Sequence, residues 1–345
     1  MRTVAFAVAA MLMLLSHQAA TAADSVKVFV LVGQSNMQGQ ASLETLGHQI
    51  IEPRTREMFA HLHDGQGNYL SRDDVYIHFL DRHGKLTVGY GARNDRFGPE
   101  LGFGWTVGNA LDEPVLIVKA AYGGRSLYRD FRPPSAGLPS DEQLSKELEQ
   151  LQKREPEATL DDVKQKYGFA YRDMLSEVKH ARENYQQLFP ELADKKFELA
   201  GFVWFQGWND MIRDEYSAAY TDNMAHFIKD VRSDLQAPEL PFIIGQMGVD
   251  GPYQGDDPTS DKKERFKANQ AAAAELPEFA GNVAVVKTDQ YWDADAAEAF
   301  KTWKDDVEAW KHFGNDRPYH YLGSPKIIYE VGQAFGEEML ELTSK

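Results

Sequence analysis

Six short apolar runs, rich in β-branched residues, recur at residues 26–32, 75–79, 115–119, 201–205, 242–246 and 283–287. Most are almost continuous instead of alternating with polar residues, the pattern of strands covered on both faces in a parallel sheet. Stretches with helical spacing lie between them. Tyr171, Met174, Leu175 and Val178 lead into residues 180–188. Tyr220, Met224, Phe227, Ile228 and Val231 form a second face, and Ile328, Val331, Phe335 and Met339 share a third within residues 327–342. Strands alternating with helices predict an α/β/α sandwich. Residues 132–168 break the alternation: Pro133-Pro134 precede a charged run with Leu144, Leu148 and Leu151. That predicts an insertion with an exposed helix, either a substrate wall or a solvated excursion. Residues 250–263, rich in Gly, Asp and Pro, predict a loop.

The chain opens Met1-Arg2-Thr3, runs through apolar residues 4–15 and reaches Ala20-Thr21-Ala22. A basic start, a short apolar run and small residues predict a secretory signal peptide over residues 1–22. The run is shorter than the ~20 apolar residues of a membrane span. The expectation is a secreted or periplasmic protein whose mature chain, 23–345, does not insert in a membrane and folds as one domain. Lys and Arg total 37 against 53 Asp and Glu, a net charge of −16 that disfavours nucleic acid and anionic membranes as partners. With no cysteine, thiol catalysis, thiolate zinc sites and iron–sulfur clusters are excluded.

Four segments carry chemistry. In Gly33-Gln34-Ser35-Asn36-Met37 a buried strand runs into a small polar turn, which places Ser35 at the carboxyl edge where open α/β sheets bind ligands. The local pattern alone also fits a helix cap. After residues 115–119 come Gly123-Gly124-Arg125-Ser126, and glycines can aim backbone N–H groups at a developing negative charge. The third segment, Trp204-Phe205-Gln206-Gly207-Trp208-Asn209-Asp210, offers amide donors and indole rings, or two core tryptophans and a helix cap. The fourth, at residues 314–324, puts Asp316 near His320, and serine acyl transfer needs a base and a group that orients it.

Together with Phe97-Gly98-Pro99-Glu100, and in this order, these segments resemble the carbohydrate esterases of family 6 and the sialate O-acetylesterase-like domains of the SGNH hydrolase superfamily, over roughly residues 26–340. The resemblance implies a flavodoxin-like three-layer α/β/α sandwich with a mostly parallel central sheet, and a serine acetylesterase without a cofactor. It implies Ser35 as nucleophile and His320 as base. The oxyanion hole would use the Ser35 N–H, the Gly124 N–H (or that of Gly123) and the Gln206 side chain. Gln34, Asn36, Gly123, Arg125, Trp208 and Asn209 are candidates for substrate contact. Two positions depart from the family pattern. Its acid stands three residues before the histidine, where this chain has Arg317; Asp316 lies four before, and Asp289 at a strand end is the alternative. Its acid after Gln-Gly is Trp208 here.

The resulting expectation is an extracytoplasmic acetylesterase acting through an acyl-enzyme on acetylated xylan-type polysaccharide or sialoglycan. The alternatives are an SGNH lipase or thioesterase for longer acyl chains, or an inactive carbohydrate-binding relative. No metal is expected, since the one close histidine pair, in His61-Leu62-His63-Asp64, lacks a third ligand and reads as an exposed loop. Gly102-x-Gly104-x-x-x-Gly108 misses a dinucleotide fingerprint by one residue. The sequence leaves the oligomeric state open.

Overall fold

The computed structural model of the protein describes residues 24–253, 255 and 258–344. The expected signal peptide, residues 1–22, lies outside the described residues. All six apolar runs are strands: β1 (Ser25–Gly33), β2 (Val75–Phe79), β4 (Val115–Ala121), β5 (Lys196–Phe205), β6 (Phe242–Gln246) and β7 (Val283–Lys287). They pair in parallel, and β3 (Arg82–Lys85) adds an antiparallel edge through a hairpin with β2. The order across the sheet is β3-β2-β4-β1-β5-β6-β7.

The main helices are α1 (Glu100–Ala110), α2 (Asp141–Gln152), α3 (Phe169–Leu188), α4 (Tyr220–Asp234), α5 (Pro258–Ala272) and α6 (Pro325–Thr343). They cover both faces of the sheet, as β5 makes plain. Phe202 and Trp204 pack on Phe227 of α4, whereas Phe205 meets Phe335 of α6. Alternate side chains point to opposite faces of a strand, so α4 and α6 lie on opposite sides. The result is the three-layer α/β/α sandwich with a mostly parallel sheet.

Three local expectations need correction. Residues 250–263 are not all loop, because α5 begins at Pro258, whose fixed φ suits a first helical turn. The helix in the insertion is not wholly exposed. Leu144 of α2 is buried with Val163, Tyr167, Tyr128 and Tyr216 in a cluster apart from the main core. His61 is no free loop residue either: its Nε2 lies 2.7 Å from the Tyr329 hydroxyl and its ring packs on Trp105.

Candidate active site

Ser35 stands where β1 ends. Gly33 runs so close to β5 that a Cβ on it would lie 2.0 Å from the Phe205 carbonyl oxygen, which leaves room only for glycine. The chain then turns. The Gln34 side-chain oxygen accepts the Gly207 N–H at 3.2 Å, and Ser35–Gln38 makes a single helical turn. From β1 the chain crosses toward β2, and from β5 it crosses the other way toward β6. Ser35 therefore opens on the crevice where connections diverge, the usual ligand site of such sheets. It is 8% exposed, and its Oγ lies 2.9 Å from His320 Nε2.

His320 arrives on strained backbone. Within Pro318–Gly323, Tyr321 and Leu322 have φ of 52° and 61°. Left-handed backbone costs an L residue roughly 1–2 kcal/mol. Local bonds hold it in place: the buried Tyr321 hydroxyl accepts the Gly248 N–H at 2.7 Å and meets Thr288 Oγ1 at 2.6 Å. The Leu322 carbonyl accepts the N–H groups of Asn315 and Asp316.

This folded-back loop sets Asp316 Oδ2 3.2 Å from His320 Nδ1, at ion-pair distance but without hydrogen-bond alignment. The same oxygen lies 3.2 Å from Arg96 Nη1, which also donates to the carbonyl and side-chain oxygens of Gln40. The Arg317 N–H bonds the other carboxylate oxygen at 2.7 Å. Burial pushes the Asp316 carboxyl up, but His320, the Arg317 N–H and Arg96 together outweigh it and hold it below the ordinary carboxylate value. Asp289, the alternative acid, accepts a hydrogen bond from Lys267 Nζ at 2.8 Å.

Gly123 and Gly124 follow β4 and are exposed. Gly124 has φ of 70°, backbone natural to glycine. Neither its N–H nor that of Ser35 has a partner among the described residues. Gly33 of β1 pairs with Ala121 of β4, so the two unpaired donors sit at adjacent strand ends. That is the kind of pair that receives an oxyanion.

Gln206 is placed differently from the expectation. It is buried, and its Nε2 donates to the Arg125 carbonyl at 2.9 Å and to Asp210 Oδ2 at 2.7 Å. With both amide hydrogens engaged, it braces the wall behind the glycine pair and has no spare donor. Asp210, fully buried, also accepts the N–H groups of Leu127 and Tyr128 at 2.8 and 2.9 Å. Burial pushes its carboxyl up to about 7 against the pull of those bonds.

A family model described as a carbohydrate esterase, sialic acid-specific acetylesterase, matches residues 25–302. The chain belongs to that family. It is thereby an esterase of the carbohydrate acetylesterase kind. No curated protein matches the sequence. Among solved structures, a protein from Arabidopsis thaliana is 16% identical with a TM-score of 0.51, covering 92% of this chain and 98% of that one. A carbohydrate acetylesterase from Xanthomonas citri is 14% identical with a TM-score of 0.45, covering 89% of this chain and 54% of that one. NanS is 19% identical with a TM-score of 0.39, covering 77% of this chain and 78% of that one. The first of these is a likeness of fold.

The matched span of the acetylesterase family ends before Asp316 and His320, and the fold brings those two back to Ser35. The other residues expected at the acetylesterase site divide by position. Gln34 and Asn36 are buried and tie loops together; Asn36 Nδ2 donates to the Tyr319 carbonyl at 3.2 Å. Arg125 lays its guanidinium 4.8 Å from the centre of the Phe169 ring, and Asn209 donates to the Gly124 carbonyl at 3.0 Å. Trp208 stands 5.6 Å from Tyr319, which is 39% exposed and packs edge-on against the His320 ring. Sequence reasoning missed Tyr319, Arg96, Tyr321 and the anchoring part of Asp210. Only Tyr319 had a visible signal, an aromatic beside the expected base.

Proposed function

We propose that this protein is a serine acetylesterase that removes O-acetyl groups from carbohydrate outside the cytoplasm, through an acyl-enzyme on Ser35. The observation that carries the reading is the 2.9 Å contact between Ser35 Oγ and His320 Nε2, with Asp316 behind the ring. Ser35 Oγ attacks the acetyl carbonyl while His320 Nε2 takes the hydroxyl proton. The Ser35 and Gly124 N–H groups donate to the tetrahedral oxyanion. The imidazolium gives its proton to the departing ester oxygen of the sugar, which leaves as a hydroxyl while the acetyl group stays on Ser35. A water, deprotonated by His320, then releases acetate and restores the serine. Ionised Asp316 orients the ring and steadies its positive charge. Trp208 and Tyr319 flank this centre, and their ring faces suit a sugar that carries the ester.

The substrate we infer is acetylated xylan-type polysaccharide or sialoglycan, and export rests on the amino-terminal sequence. Acetate release from acetylated xylan, acetylated sialic acid, and the acetate and octanoate 4-nitrophenyl esters tests the assignment. The expected result is turnover of acetylated sugar, preference for acetate over octanoate, and loss of about 10³-fold or more in Ser35→Ala. Full activity in Ser35→Ala would remove the serine from the mechanism.

A further inference from the structure

We propose that the cleft between the 132–168 insertion and residues 213–216 is a second saccharide site, which grips carboxylate groups of an acidic sugar chain whose acetyl group is at Ser35; this rests on the esterase reading above. The protein carries a net charge of −16, yet this cleft of about 690 Å³ is lined by Arg129, Lys146, Lys153, Arg154, Lys166 and Arg213. Its three carboxylates already have partners. Asp214 pairs with Lys262 at 2.8 Å, and Glu215 accepts the Tyr128 hydroxyl at 2.7 Å. Glu147 accepts the Tyr167 hydroxyl and lies 3.3 Å from Arg129. Lys153, Arg154 and Lys166 have no carboxylate at ion-pair distance among the described residues. Arg129 Nε is buried without a hydrogen-bond partner.

Lys153 donates only to the neutral Gln150 side chain, at 2.8 Å, and Lys146 pairs with Glu142. Cations in excess of carboxylates in a concave wall concentrate positive potential, and guanidinium groups suit carboxylates as bidentate partners. The position of the cleft points to sugar instead of a free anion. Leu127 and Tyr128, two and one residues before Arg129, bond Asp210, and Arg213 lies three residues beyond Asp210. The two loops that wall the Ser35 crevice therefore run on into the cleft, so a saccharide chain held at the cleft would be presented from the same two loops that flank Ser35.

Calorimetry with unacetylated oligomers tests this without any turnover. Wild type should bind a galacturonate or sialic acid oligomer and ignore a neutral xylo-oligomer, with affinity that falls as salt rises. The triple variant Lys153→Glu/Arg154→Glu/Lys166→Glu should bind roughly tenfold more weakly or worse, since like charges now face the ligand. Its 4-nitrophenyl acetate hydrolysis should match wild type. The exposed single change Arg154→Glu should act in the same direction should the triple variant fold poorly. Equal binding of acidic and neutral oligomers, binding of neither, or acidic binding unaltered in the variants would overturn the site. Failure of wild type to hydrolyse any ester would instead sink the esterase reading, while the calorimetry still reports on the cleft.

Discussion

Asp316 lies 3.2 Å from the His320 ring while Asp289 is engaged by Lys267, so substitution should separate the two carboxylates sharply. Asp316→Asn should lower kcat by up to about 10⁴-fold, the loss seen when a serine triad loses its orienting charge. Asp289→Asn should leave kcat close to wild type. Stability should follow the same charge. The Asp316 carboxyl is held below its ordinary value, so its contribution is fully present above about pH 4, the unfolded value, and is lost as pH falls through the lower folded one. Urea midpoints of wild type and Asp316→Asn should differ above about pH 4 and converge in stronger acid; a constant difference at every pH would contradict this. Ser35 and His320 were legible from the order of the motifs. Asp316 stood ahead of Asp289 as the acid, but the loop that brings it to the ring was not legible, because it depends on two left-handed non-glycine residues, Tyr321 and Leu322, that no local pattern announces. The engaged amide of Gln206 was hidden for a similar reason: its partners, Arg125 and Asp210, come from separate loops.

Three elements meet beneath the Ser35–Gln38 turn through one buried ion pair. Lys119 Nζ of β4 lies 2.6 Å from Glu100 Oε2 at the start of α1, and both side chains are fully buried. The ammonium also donates to the carbonyls of Gln38 and Tyr90, each at 2.8 Å, so it clamps the end of the Ser35–Gln38 turn. Burial lowers the Lys119 pKa to about 8, partly offset by Glu100. Lys119→Met would strand the carboxylate and should cost about 3–5 kcal/mol in urea unfolding, with much of it recovered in Lys119→Met/Glu100→Leu. A loss under about 1 kcal/mol in the single variant would show the clamp to be dispensable. At this scale the six parallel strands were legible, because burial on two faces makes them continuously apolar. β3 was not, since Arg82-His83-Gly84-Lys85 is a polar edge that pairs on one side only. The start of α5 escaped notice because residues 258–265 carry no apolar stripe.

Across the whole molecule, the sheet brings together groups from opposite ends of the chain: Ser35 and His320 are 285 residues apart in sequence. The three-layer fold was legible from periodicity alone, whereas the pairing of strand ends that makes a crevice depends on strand order, which periodicity does not carry. Net charge also says little about local field, as the cation-lined cleft of an acidic protein illustrates. All of this turns on Ser35 being a nucleophile activated by His320, as proposed. Reaction with diisopropyl fluorophosphate, read by peptide mass spectrometry, tests it directly, because Ser35 Oγ would displace fluoride and keep the phosphoryl group. The expected result is a single adduct on the Ser35 peptide, loss of esterase activity in proportion to it, and almost no labelling in His320→Ala. Esterase activity that survives complete labelling of Ser35, or inactivation with the adduct on another residue, would contradict it.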